Sequence, residues 1–175
     1  LAAVLEEGGA RRAEGQVAEV NLAARDWPEQ VAAGLDRGAI VIVDYGDTTA
    51  ALYGPRRRRG TLLCYSGQTV NEQPFRRVGR QDITAHVDFG ALMRQAGRLG
   101  LHVAGLTSQG AFLAGLGLGE LLLDLQAQTA PVDYLRQRGL IADLIRPDRL
   151  GRFKVLILTR GLPPALPLAG LSLRL

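Results

Sequence analysis

The chain has 175 residues, 47% of them hydrophobic, enough to bury a core in one domain. Its formal charge of +4 comes almost wholly from arginine, Lys154 being the single lysine, and the basic run at residues 56–59 has no aromatic stacking platform, so no nucleic-acid partner is expected. One cysteine, Cys64, excludes an internal disulfide and lacks the Cys and His spacing of a zinc site, which suits a reducing compartment: bacterial cytoplasm, or the matrix if eukaryotic.

Leu1 stands where an initiating Met would, and no secretory pattern follows, so the start reads as a cut. The apolar runs at 116–125 and 155–158 are shorter than the roughly 20 residues that cross a bilayer, and no membrane partner is expected. Gly8-Gly9 interrupts residues 1–14, which are left unassigned. Residues 16–22 alternate as a half-buried strand does. Asp26, Trp27 and Pro28 then give an N-cap and first-turn signal for a helix ending near Gly38, with Trp27 packing its start.

Residues 39–43 form a continuous β-branched and aliphatic run, the pattern of a central parallel strand buried on both faces. Asp44, Tyr45 and Gly46 close it, where chemistry sits in α/β sheets. Residues 47–81 are rich in glycine, proline, arginine and polar groups, and read as a flap over a site. Asp88 or Thr84 can cap a helix over 89–99 that Gly100 stops. A strand at 101–106, helices at 109–117, 120–128 and 132–145, and a strand at 153–159 complete an α/β order. Pro163, Pro164 and Pro167 make the tail from Gly161 a coil.

The densest chemistry lies in residues 81–89, where Asp82, Thr84, His86, Asp88 and Phe89 crowd together. Buried polar groups need partners, so a mere connection has no packing reason for such a run. With Asp44-Tyr45-Gly46, Gly60-Thr61-Leu62 and the segment from Thr107 through Gln109 to Leu113, it resembles the MidA-like methyltransferases, whose mitochondrial members are arginine methyltransferases needed for respiratory complex I assembly. The resemblance covers most of the chain.

It implies a partial Rossmann-like class I methyltransferase sheet, with helices on its faces, a C-terminal antiparallel strand pair and a helical insertion between the pair. It implies S-adenosylmethionine as cofactor, held by Asp44, Tyr45 and Gly46. A protein substrate would meet Gly60, Thr61, Thr84, Phe89 and Gln109, and Asp82, His86 and Asp88 would be catalytic. Carboxylates can hold a planar guanidinium bidentately, and an imidazole can take its proton. Neither the glycine-rich cofactor turn nor the ribose-binding acid of such enzymes is found in the sequence. Residues 1–160 are therefore expected to be the C-terminal half of the domain, with 161–175 a Pro-rich tail, and the missing N-terminal half becomes an expected partner.

Other readings accompany each residue. Asp44 can cap a turn, Asp88 can be an N-cap, His86 and His102 can be structural, and Gly60-Thr61 can be an ordinary loop. A non-catalytic assembly or interaction module is the alternative function, and homo-oligomerisation is left open. The functional reading requires the end of the 39–43 strand and the acidic run to reach one place.

Overall fold

The computed structural model describes residues 2–10, 13–55 and 57–173. The elements are α1 (Ala2–Glu7), α2 (Ala23–Ala33), β1 (Gly38–Asp44), β2 (Gly46–Asp47), α3 (Thr49–Leu52), β3 (Leu63–Ser66), β4 (Thr69–Asn71), β5 (Asp82–Thr84), β6 (Val87–Asp88), α4 (Phe89–Arg98), β7 (His102–Ser108), α5 (Gln109–Gly115), α6 (Leu118–Gln128), α7 (Pro131–Ile145) and β8 (Lys154–Arg160). They divide into two compact units, one of residues 1–31 and 46–95 and the other of residues 32–45 and 96–175.

The second unit is built on a three-stranded sheet of order β1-β8-β7, with β8 antiparallel to both neighbours. Val155, Leu156, Ile157, Leu158 and Thr159 are all buried, so β8 is the strand covered on both faces. This corrects the expectation for residues 39–43. Strand β1 is antiparallel to β8, and its side chains alternate, with Val41 and Val43 exposed at 53% and 48%. A run of β-branched residues meets the needs of either strand type, and composition alone does not separate them.

Arg160, at the end of β8, ties the unit together. Its guanidinium donates to the carbonyls of Ala32 (2.6 Å), Leu35 (3.2 Å) and Leu99 (2.8 Å), at or just past the ends of α2 and α4. Helices α5, α6 and α7 lie in the connection between β7 and β8, as the resemblance implied. Ser108 caps α5 by accepting from Ala111 N, and Gly117, at φ +88°, lets the chain turn between α5 and α6. The tail is not wholly coil: a 3-10 turn at Ala169–Leu171 packs on α5, with Gly170 buried against the Phe112 ring. No single helix among the described residues is long and apolar enough to cross a membrane.

In the first unit, Leu5, Ala10, Leu52 and Tyr53 form a buried cluster against which Ala18 and Val20 pack. The N-terminal segment left unassigned holds α1, which stops at Gly8-Gly9. Residues 16–22 are extended but join no ladder, making one bridge between Val17 and Arg59. Helix α2 starts earlier than Asp26 because the Asn21 side chain accepts from Ala24 N, and Trp27 is exposed rather than packed. The supposed flap carries structure of its own: α3, and a sheet of order β4-β3-β5. Its β3–β4 hairpin closes through Gly67-Gln68, with Gly67 at φ +60°, a glycine position that two-residue hairpins favour.

Replacing Leu156 by Ala should cost about 2–5 kcal/mol in urea unfolding, since it empties a site closed on both faces. Val41→Thr on the open face should stay within about 0.5 kcal/mol. Equal losses would contradict the burial pattern.

Candidate functional site

Strand β6 and the start of α4 place the acidic run in the first unit. Strand β2 pairs with β6 in parallel, Gly46 opposite Val87 and Asp47 opposite Asp88. A β-carbon at Gly46 would collide with the Val87 carbonyl, so only glycine permits this approach. Residues 46–47 and 87–88 are thereby held together by backbone bonds.

Asp88 is the node of the site. Its Oδ1 accepts from Ala91 N at 2.9 Å, capping α4, and from the Thr49 hydroxyl at 2.6 Å. Thr49 is buried, and its Oγ1 in turn accepts from an Arg94 guanidinium nitrogen at 3.0 Å. The close packing of α4 requires Gly90, where a β-carbon would meet Thr49 Oγ1. Asp88 is thus a helix cap, and it also lines a cavity.

That cavity, about 90 Å³, is walled by Glu19, Asn21, Tyr53, His86 and Asp88 with apolar Val20, Val87 and Leu92. Glu19 is fixed from the Gly60-Thr61 loop: its Oε2 accepts from Thr61 N at 2.8 Å and from Thr61 Oγ1 at 3.3 Å. Gly60, at φ +73°, leaves room for this carboxylate where any side chain would clash. Thr61 Oγ1 also accepts from His86 N at 2.9 Å, so one hydroxyl joins Glu19 to the acidic run. Tyr53 donates its hydroxyl to the Glu19 carbonyl at 2.9 Å. Burial first, then the charges of Asp88 and Glu19, push the Tyr53 phenol up to about 12. The cavity therefore combines two carboxylates, a neutral phenol and an imidazole, a donor set suited to a cationic guest.

Of the residues singled out in the sequence, His86 and Asp88 line the cavity, and Gly60 and Thr61 support its Glu19 wall. Asp82 and Thr84 lie on β5 outside the lining. Asp82 is exposed opposite Tyr65, and Thr84 Oγ1 donates to the Leu63 carbonyl at 3.4 Å. Phe89 has no exposed surface and packs beneath Gly46. Glu19, Asn21, Tyr53 and Thr49 were not foreseen. Glu19 sits within the 16–22 alternation that reads as a strand, and Gln16 donates its amide to the carbonyls of Tyr53 (3.2 Å), Gly54 (3.1 Å) and Arg57 (2.9 Å) beside it. Arg56 of the basic run lies outside the described residues.

The remaining candidates belong to the second unit. Asp44 ends β1, its Oδ1 accepting from Tyr45 N at 2.7 Å, and the Tyr45 ring stands edge-on to Phe153 with centroids 5.7 Å apart. Gln109 donates its amide to the Leu144 carbonyl at 2.9 Å, tying α5 to the end of α7. Among the described residues no glycine-rich turn joins a buried strand to a helix start.

Residues 1–107 match a family model described as "Putative S-adenosyl-L-methionine-dependent methyltransferase". Two crystal structures from Burkholderia thailandensis are similar to the chain. One is a native structure of an uncharacterized superfamily protein, 33% identical with a TM-score of 0.85, covering 95% of this chain and 44% of its own. The other is a member of the same superfamily bound to S-adenosyl-homocysteine, 32% identical with a TM-score of 0.86, covering 98% of this chain and 44% of its own. The chain thus spans less than half the length of these structures. No curated protein matches it.

Asp88→Ala should lower stability by about 1–2 kcal/mol, because it uncaps α4 and strips Thr49 of its acceptor, with Asp88→Asn milder; thermal unfolding measures both. Between the ordinary tyrosine value of 10.0 and about 12, unfolded chains release a proton that folded Tyr53 keeps. The stability it confers is whole below pH 10 and is lost as pH rises toward 12. Phenolate absorbance should show a late-titrating tyrosine that Tyr53→Phe removes; ordinary titration of Tyr53 would contradict its burial beside Asp88 and Glu19.

Proposed function

The chain belongs to the family of S-adenosyl-L-methionine-dependent methyltransferases described above, and from this premise we propose that it is part of a MidA-like protein arginine methyltransferase acting in respiratory complex I assembly. The observation that carries the reading is the similar superfamily structure holding S-adenosyl-homocysteine, the product left when S-adenosylmethionine gives up its methyl. S-adenosylmethionine is the cofactor, and when bound it supplies an electrophilic methyl group. The β1-β8-β7 order, with β8 antiparallel between its neighbours, fits the last three strands of a Rossmann-like class I sheet.

On this reading the chain supplies the acceptor side. Asp88 and Glu19 orient a guanidinium in the cavity, Asp82 on the exposed β5 guides the approaching chain, and His86 takes the proton that the nitrogen loses. Alignment rather than a covalent intermediate accounts for such a displacement. Asp44, Tyr45 and Gly46 form one cofactor edge, and residues 1–160 correspond to the C-terminal half of the domain. The acidic donor set supports an arginine acceptor over a neutral one.

Calorimetry with S-adenosylmethionine should show binding for the complete gene product and weak or no binding for residues 1–175; tight binding by these residues alone would overturn the division. Glu19→Gln in the complete enzyme should reduce methyl transfer to protein arginine by roughly ten- to a hundredfold, as the loss of one charged hydrogen bond does. Cofactor affinity should change little, and an equal loss of both would refute the acceptor role.

A further inference from the structure

A cation of the chain's own stands one hydroxyl away from the carboxylate that caps α4. Arg94 lies on α4, and its Nη1 donates to Thr49 Oγ1 at 3.0 Å. An oxygen that accepts from a guanidinium has its own O–H left to give, and Thr49 gives it to Asp88 Oδ1 at 2.6 Å. Arg94 and Asp88 form no ion pair among the described residues. The hydroxyl is therefore both a link and a spacer.

Packing fixes that hydroxyl in place. Thr49 is buried between Gly8, just past α1, and Gly90, in the first turn of α4. A β-carbon at Gly8 would strike the Thr49 methyl and crowd Arg94 Nη2, and one at Gly90 would meet Thr49 Oγ1. A β-branched side chain is stiff at χ1, so seating its methyl at Gly8 decides where its hydroxyl goes. The bonds from Thr49 and from Ala91 N both end on Oδ1 of Asp88, and Oδ2 accepts none among the described residues. An arginine fork is the natural mate of a carboxylate, and a direct pair between Arg94 and Asp88 would mimic a bound guest and close the site from within.

We propose that Thr49 is a positioning residue of the cation site: its hydroxyl pins Asp88 Oδ1 and holds Arg94 off the carboxylate, so that Oδ2 is left for the guanidinium of a guest. This rests on the reading of the cavity as an acceptor site, and it makes Arg94 the internal competitor that the site has to keep at a distance. Tyr53 reports on the charge of Asp88 without any guest, because Asp88 is, after burial, a cause of its raised titration.

In the complete gene product, Thr49→Ala should weaken calorimetric binding of a short arginine-containing peptide by about tenfold or more, as the loss of a charge-assisted hydrogen bond does. The double variant T49A/R94Q should bind several-fold tighter than Thr49→Ala, because the competitor is gone, and Thr49→Ser, which keeps the hydroxyl, should stay close to the parent. Thr49→Val fills the slot between the two glycines without a hydroxyl and should lose affinity likewise, so the test survives a Thr49→Ala chain that does not fold. Phenolate absorbance gives the guest-free readout: Tyr53 should titrate earlier in Thr49→Ala and late again in T49A/R94Q. A folded double variant that binds no better than Thr49→Ala, with Tyr53 titrating alike in both, would make Thr49 a packing residue alone and overturn the proposal. A parent that binds no arginine peptide while Tyr53 shifts as described would refute the acceptor reading and leave the separation of Arg94 from Asp88 standing.

Discussion

A carboxylate at the start of a helix, with a buried hydroxyl beside it, must be satisfied on every side, and Asp88 meets that demand with three elements at once. It caps α4 through Ala91 N, accepts from Thr49 at the start of α3, and lies on β6 opposite β2. The Thr49 hydroxyl is committed in turn to Arg94. Gly46 and Gly90 make the approach possible, since a side chain at either would strike backbone or hydroxyl. Asp88 also lines the cavity that Glu19, Tyr53 and His86 complete.

Among the described residues the lining of the cavity carries no lysine or arginine, and Arg94 reaches Asp88 only through the Thr49 hydroxyl. Glu19 is stabilised by the Thr61 backbone N–H and hydroxyl rather than by a cation. Tyr53 stays protonated to about 12, so it adds a neutral donor and no third charge. A site whose negative groups are held by neutral donors keeps its attraction for an incoming cation. The same Thr61 hydroxyl accepts from the His86 backbone N–H, tying the Glu19 carboxylate to the acidic run.

Much of the secondary structure was legible because local rules decide it. Helix α4 follows from the Asp88 cap and Gly100, the break between α5 and α6 from Gly117, and α7 from the amphipathic spacing over 132–145. The antiparallel β7 and β8, with helices between them, also follow the reading. Strand direction was not legible: residues 39–43 and 155–158 have the same apolar character, and only pairing shows that β8 is the enclosed strand and β1 the half-exposed one. The hairpin within residues 63–71 was hidden because its strands are three and four residues long and carry polar side chains. In the site, His86 and Asp88 stood out by local density. Glu19 and Tyr53 did not, since they enter through contacts more than thirty residues apart, fixed by Gln16 and the Gly60 turn.

The central claim is that Asp88, Glu19, Tyr53 and His86 form one receptive site for a cationic side chain. Heteronuclear NMR of the chain titrated with a short arginine-containing peptide tests it most directly. The amides of residues 19–21, 53, 61 and 86–92 should shift together along one saturating curve, and the lysine analogue should shift them less, as a planar fork outbinds a point charge at paired carboxylates. Shifts scattered over the exposed acids with none at these amides would contradict the account.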